Sequence, residues 1–315
     1  MAYDFVYPGR SALRAFSLEE DAFFLRQFMP ALAALLVVSA CRSESVARAP
    51  FTDDFGDAIA VGAPPQRIVS LNPATTDLLF ALGAGRRLVG RTHWDFYPDS
   101  ARFVPDMGSG LRPNVEAVLG AHPDLVVLYA SNDNRQGASE FRAAGVKTLS
   151  LKIDHIADFH RAARLLGIML GDSARGAAVS DSVKRTLDRV RNATGHLKKP
   201  SVFWHVWDAP LITIARGSYM NELIEIAGGK NIYGEISEPS PTVSIEDVLK
   251  RDPDFIITGA EGAEKIRNDP KWSEARAVKS GHILVADTAL VGRPSVRLGE
   301  AAVSLALLLH PGSVR

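Results

Sequence analysis

Short β-branched apolar runs alternate with stretches of helical apolar spacing along most of this chain, beginning at Arg67. Arg67–Leu71 (RIVSL) predicts a strand that Asn72-Pro73 ends. Leu78, Leu79 and Leu82 then recur at helical spacing, with Gly83 as the stop. LVGRT restarts as a strand. Asn114 can cap a helix that starts at Val115 and breaks before Pro123, and LVVLY (Leu125–Tyr129) reads as a buried strand. A helix through Glu140 and Phe141 ends at Gly145, and VKTLSL is the next strand. Strands alternating with helices in this way predict a parallel sheet covered on both faces.

The pattern is then written a second time. VEAVLGAHPDLVVL (Val115–Leu128) returns as IEDVLKRDPDFIIT (Ile245–Thr258), with five of fourteen positions identical and four more exchanging one apolar residue for another. Around this second copy, SVFWHVW predicts a strand, NELIEIAGGKNIYG parallels TDLLFALGAGRRLVG, Ser244 supplies the cap, GHILVA predicts a strand, and a helix closes the chain near Val296–Leu309. The repeat implies an α/β fold of two Rossmann-like lobes, residues 51–154 and 197–315, each a mainly parallel sheet covered by helices. Between them lies a bridging region, residues 155–196. There Val179, Val183, Leu187 and Val190 share one helical face with charges opposite. A helix from Asp172 to Thr194 would span roughly 34 Å at 1.5 Å per residue, enough to cross from lobe to lobe once.

The amino end has a different texture. Met29–Ala40 (MPALAALLVVSA) is apolar but shorter than the ~20 residues a membrane-spanning helix needs. With Arg26 before it, the segment fits the core of a secretory signal. Val38-Ser39-Ala40-Cys41 resembles a bacterial lipobox, in which the cut falls before the cysteine and the thiol is lipidated. Residues 1–40 are therefore expected to be a signal peptide, Cys41 the lipidation site, and residues 41–50 a small, polar tether. A plain signal peptide with an incidental cysteine is the alternative. Asp4, Glu19, Glu20 and Asp21 are out of place in a signal, which a start codon assigned too far upstream would explain.

Composition narrows the chemistry. The 315 residues carry 36 Lys plus Arg against 36 Asp plus Glu, so the chain has no electrostatic footprint for nucleic acid. A lone cysteine excludes an internal disulfide. No G-x-G-x-x-G follows the first strand, since Gly83-Ala84-Gly85 lies at a helix end; Walker A, G-x-S-x-G and H-E-x-x-H patterns are absent. A Rossmann-type enzyme is therefore disfavoured. The eight histidines form no close ligand cluster, leaving a metal-ion binder as a lesser alternative with no metal site assigned.

Ligands of open α/β sheets sit outside the carboxyl ends of the strands. Two facing lobes would line one cleft with such loops. These carry Pro73, Ala74 and Thr75, then Trp94, then Tyr129 in the first lobe, and Trp207 in the second; the aromatics can stack on a large planar ligand. Trp204 alternates to the opposite face from Trp207 and is expected in the core. Arg293 and Arg297 precede the last helix. Arg293 is the better candidate for an anionic group; Arg297 falls inside the helical stretch, where a structural role fits it as well as a ligand role.

Pro64–Pro98 (PPQRIVSLNPATTDLLFALGAGRRLVGRTHWDFYP), with PNVEAVLGAHPDLVVL, AGGKNIYG and the terminal GRPSVRLGEAA, resembles the substrate-binding proteins of ABC importers for vitamin B12, ferric siderophores and haem. The resemblance covers roughly residues 51–310 and implies two lobes joined by one long helix, no catalysis and no cofactor of its own. It also implies a permease as partner, export to the periplasm or cell surface, membrane attachment through a lipid anchor only, and action as a monomer. Among the vitamin B12 binders, the ligand aromatics fall on Trp94, Tyr129 and near Trp207. Two tryptophans of that pattern fall on Gly110 and Ser240, which would leave a roomier cleft. The expected ligand is a corrinoid, with a ferric siderophore or haem as the alternative. Glu116 and Glu246 occupy matching places in the repeated phrase, each two residues beyond an N-cap. First-turn carboxylates complement a helix dipole by 0.3–1 kcal/mol. The resemblance adds a second role for them, docking onto arginines of the permease.

Overall fold

The computed structural model describes residues 51–314. The signal segment, Cys41 and the tether lie outside these residues.

Phe51–Thr52 (β1) and Ala58–Ile59 (β2) pair as a short antiparallel hairpin. It is fastened to the first lobe by Asp53, whose carboxylate accepts from the backbone N–H of Phe55, Asp57 and Ser150. That lobe is built from Ile68–Leu71 (β3), Pro73–Ala81 (α1), Leu88–Gly90 (β4), Val115–Gly120 (α2), Leu125–Tyr129 (β5), Asn132–Ala143 (α3) and Lys147–Leu151 (β6). The sheet is parallel with order β4-β3-β5-β6. All four residues of β3 are buried, the burial of a strand covered on both faces.

Ile156–Met169 (α4) and Ser173–Thr194 (α5) follow. The second lobe comprises Ser201–Trp204 (β7), Trp207–Asp208 (β8), Leu211–Ile212 (β9), Tyr219–Ile226 (α6), Lys230–Asn231 (β10), Ile245–Arg251 (α7), Phe255–Thr258 (β11), Ala260–Asn268 (α8), Arg276–Lys279 (α9), Ile283–Val285 (β12), Thr288–Val291 (α10) and Leu298–Leu309 (α11). Its sheet is again parallel, in the order β10-β7-β11-β12. Strand for strand, the two sheets share one topology: α2-β5 and α7-β11 occupy the same place in each.

The repeated phrase now has a physical content beyond its apolar pattern. The aspartate shared by its two copies ties the adjacent central strand in both lobes. Asp124 accepts from the N–H of Gln66 (2.7 Å) and Arg67 (3.0 Å) just before β3. Asp254 accepts from the N–H and hydroxyl of Ser201, both 2.8 Å, at the start of β7. The expected caps are present too: Asn114 accepts from Ala117 N–H and Ser244 from Asp247 N–H.

α5 begins at the Asp172 cap and ends at Thr194, as the spacing predicts. It buries Val183, Leu187 and Val190, packing on α4 on one side and on α6 and α11 of the second lobe on the other. α4 and α5 meet backbone to backbone: a Cβ on Gly167 would lie 2.6 Å from Gly176 Cα. A single apolar cluster therefore runs from Ile68 and Leu78 through Leu166, Val183 and Val190 to Leu223 and Leu305.

One strand assignment needs correction. SVFWHVW is not continuous: β7 stops at Trp204, and Trp207 starts a separate two-residue strand paired antiparallel with β9. Val206 N–H donates to the Ile212 carbonyl, so the chain leaves the parallel sheet at His205. Trp204 is buried and Trp207 exposed, as expected, although they lie on separate strands.

Candidate functional site

Trp94 and Trp207 stand at strand carboxyl ends, one on each lobe, 52% and 60% exposed. For side chains of this size such exposure leaves much apolar surface in water. Phe96, Tyr97 and Leu111 add further exposed apolar surface on the first lobe, and Val206 on the second.

The Trp94 loop is held from beneath. Asp95 is buried, and its Oδ2 accepts from Thr92 N–H (2.6 Å) and the Thr76 hydroxyl (3.2 Å). His93 tilts against the Trp94 ring at 4.5 Å. The carbonyl of Trp94 accepts from Arg293 Nη2 at 3.0 Å, across 199 residues of sequence and from the opposite lobe. Arg297 lies 4.8 Å over the Tyr97 ring and pairs with Glu300 at 2.8 Å. Arg293 Nη1 is 4.0 Å from Oδ1 of Asp77, a fully buried carboxylate in α1. Burial pushes the Asp77 carboxyl up to about 7, against the opposing pull of Arg293. Burial likewise pushes Asp95 up to about 6, against its hydrogen bonds from Thr92 and Thr76.

On the second lobe a cavity of about 510 Å³ opens beside Trp207, floored by His205 and Thr258 and walled by Asp208, Lys265 and Gly292. His205 is buried, with Nδ1 3.0 Å from the Thr258 hydroxyl and Nε2 2.8 Å from Asp208 Oδ1. Gly262 makes room for that ring, because a Cβ there would collide with Thr258 Oγ1 and the imidazole. Lys265 bridges Asp208 (3.2 Å) and Glu261 (2.7 Å). Burial would raise the Asp208 carboxyl, but hydrogen bonds from Lys265 and His205 hold it below its ordinary value. The lining of this cavity comes from the second lobe alone; Gly292 belongs to it, and the next residue, Arg293, reaches the Trp94 carbonyl of the first lobe. A second cavity, about 550 Å³ between α5 and α11, has no aromatic ring in its lining.

Several expectations change at this level. Arg293 is not free for an anionic ligand: it is mostly buried and serves as a strut between the lobes. Arg297 is structural. Ala74 and Thr75 form the buried first turn of α1; their N–H groups bond Asn72, and the Thr75 hydroxyl bonds Ser70 and the Asn72 carbonyl. Of that trio, Pro73 alone reaches the surface. Tyr129 is half-buried, and its hydroxyl donates to Asp154 at 2.6 Å. Burial and that carboxylate both push the phenol up. Gly110 does not mark a vacated aromatic position. Its φ is +81°, and a Cβ there would sit 2.5 Å from the Leu71 carbonyl, so no side chain fits. Glu116 and Glu246 are exposed in the first turns of α2 and α7, which begin on the strand-carboxyl side of each lobe. The His205–Asp208–Lys265 group escaped sequence reading, because the run from Val202 to Trp207 looks like uninterrupted strand. Among the described residues, no three of His, Cys, Asp or Glu converge to hold a metal.

Comparison with known proteins gives a consistent picture. The sequence pattern of the periplasmic binding protein family matches residues 68–290. The chain is 25% identical over 239 residues to the vitamin B12-binding protein of Vibrio vulnificus, covering 75% of this chain and 86% of that protein. Its fold is similar to the periplasmic vitamin B12-binding protein of Vibrio cholerae (TM-score 0.71, 23% identity, 79% of this chain and 98% of that one). It is equally similar to a periplasmic haem-binding protein from Roseiflexus (TM-score 0.71, 23% identity, 80% and 100%).

Proposed function

This chain belongs to the periplasmic binding protein family, and from that membership we propose that it captures a corrinoid between its two lobes and delivers it to an ABC importer permease. The family is one of substrate-binding transport proteins rather than enzymes, which agrees with the missing phosphate loop and nucleophile elbow.

The observation that supports the ligand reading is the pair of half-exposed tryptophans, Trp94 and Trp207, one on each lobe. Two such rings suit a large, flat macrocycle held between the lobes. The charges favour a neutral edge over an anionic one. Arg293 is mostly buried and committed to the Trp94 carbonyl, Arg297 to Glu300, and Lys265 to Asp208 and Glu261. The carboxamide periphery of a corrinoid needs hydrogen bonds but no free cation, whereas haem propionates or a catecholate chelate call for one. Titrating the purified protein with cyanocobalamin, haem and a ferric catecholate siderophore, followed by tryptophan fluorescence, tests this. Saturation at one corrinoid per chain is expected. Tighter binding of haem or the siderophore would replace the corrinoid reading.

Glu116 and Glu246, equivalent by the repeat, are the residues that meet the permease, and the protein works as a monomer. Cys41 carries the lipid that keeps it at the membrane. Among the described residues no helix is long and apolar enough to cross a bilayer. Replacing Cys41 by Ser should free the protein from the membrane fraction or leave its signal uncut; a variant processed and retained like the parent would refute the anchor.

A further inference from the structure

The carboxylates beneath Trp94 are short of partners. Asp77 is completely buried and its oxygens lack a hydrogen-bond partner of normal geometry, only the Ser295 hydroxyl being near enough to favour its charge; Asp95 Oδ1 is likewise unpartnered. Arg293 faces both carboxylates but gives its hydrogen bond to the Trp94 carbonyl, leaving Asp77 at 4.0 Å. Two buried carboxylates around one guanidinium cannot both ionise without an uncompensated buried charge.

Few other charged groups bear on Asp77. From the second lobe Arg297 approaches but is held by Glu300, and the Ser295 hydroxyl lies near. The Tyr219 hydroxyl, also close to Arg293, donates to the Val291 carbonyl. β3, on which α1 packs, contributes no ionisable side chain. α4, the other helix on α1, has its groups engaged elsewhere: Asp158 and Arg161 with each other, His160 with Ser180, Arg164 with Asp181. In the turn after α1, Arg87 bonds the Pro65 carbonyl and Arg86 is exposed; Arg175 bonds the Ala81 carbonyl at the far end of the helix.

We propose that Asp77 is a proton-binding site at the lobe interface, and that losing the proton draws Arg293 off the Trp94 carbonyl, so that the cleft captures its ligand less tightly as pH rises. The inference rests on Trp94 being part of the ligand site. The sign follows from burial. Both carboxyls are raised above their ordinary value, so each favours its neutral form in the fold. Asp95 receives hydrogen bonds from Thr92 and Thr76 that favour its charge, so the first anion forms there and balances Arg293; an anion on Asp77, which lacks such bonds, is then in excess. At 4.0 Å a new carboxylate on Asp77 needs only a small swing of the Arg293 side chain to form an ion pair. That swing breaks the inter-lobe bond holding Trp94.

Two measurements test this together. Cyanocobalamin is titrated calorimetrically at about pH 6 and about pH 8 into the parent, Asp77→Asn and Arg293→Met. In parallel, the infrared carboxyl band of the ligand-free parent and Asp77→Asn is compared at the same two pH values. The parent should bind about tenfold more weakly at the higher pH, a shift of one decade. Asp77→Asn should be tight and Arg293→Met weak, each without pH dependence. The parent should lose a protonated-carboxyl band that Asp77→Asn lacks throughout. Parent affinity independent of pH, or identical infrared spectra for the parent and Asp77→Asn, overturns the proposal. If cyanocobalamin does not bind at either pH, the corrinoid reading fails, and the infrared comparison alone decides the proton site.

Discussion

Removing the Trp94 or Trp207 ring is the perturbation whose size the structure constrains best. A tryptophan side chain offers roughly 250 Å², and Trp94 leaves 52% of its surface in solvent, so roughly 130 Å² is available for a ligand to cover. At about 25 cal/mol per Å², complete cover contributes about 3 kcal/mol and half cover about 1.5 kcal/mol. Trp207, 60% exposed, falls in the same range. Either residue changed to Ala should weaken ligand binding by about 1.5–3 kcal/mol, roughly tenfold to a hundredfold in Kd. The Trp94 backbone carbonyl survives in Trp94→Ala, so the strut from Arg293 remains and the lobes keep their arrangement. The assay is calorimetric titration of each variant beside its ligand-free thermal unfolding. Normal affinity with a Tm lowered by many degrees would mean that the rings stabilise the lobes and do not meet the ligand.

Three further outcomes follow from other parts of the molecule. Changing Glu116 and Glu246 together to Lys should leave ligand affinity intact but abolish uptake and weaken permease binding in a salt-sensitive way; transport at the parent rate would reduce both to helix-terminus residues. Asp254 is held near 2, well below its ordinary value, by Ser201 and Arg276. Its contribution is therefore present above about 4 and lost as pH falls through about 2; allowing for its partial exposure, Asp254→Ala should cost about 1–2 kcal/mol in urea unfolding at neutral pH, and no cost would refute the strand-tying role. Because one apolar cluster runs through α5 into both lobes, ligand should alter the small-angle scattering profile only slightly; marked compaction would show that the lobes hinge freely.

The chain displays its architecture openly because parallel strands covered on both faces must be apolar almost throughout. The caps at Asn114 and Ser244 and the repeated Pro-Asp step recur wherever the same helix-strand unit is built. The single crossing was legible from Val179, Val183, Leu187 and Val190, since a stripe at that spacing has to be buried along one side. The site was less legible, because it depends on partners distant in sequence. Arg293 looks like an anion receptor until Asp77 and the Trp94 carbonyl are brought to it from the other lobe. Gly110 looks like a lost aromatic until the Leu71 carbonyl is found where a Cβ would go. His205 disappears into a run of strand-forming residues, and its role as the floor of a cavity depends on where β7 stops.

Hydrogen–deuterium exchange with and without saturating cyanocobalamin reports where on the molecule the ligand is held. Capture between the lobes predicts slowed exchange in both walls together: residues 92–98 on the first lobe, and 205–209 with 258–262 on the second. Protection confined to one lobe, or to the groove between α5 and α11, would contradict it.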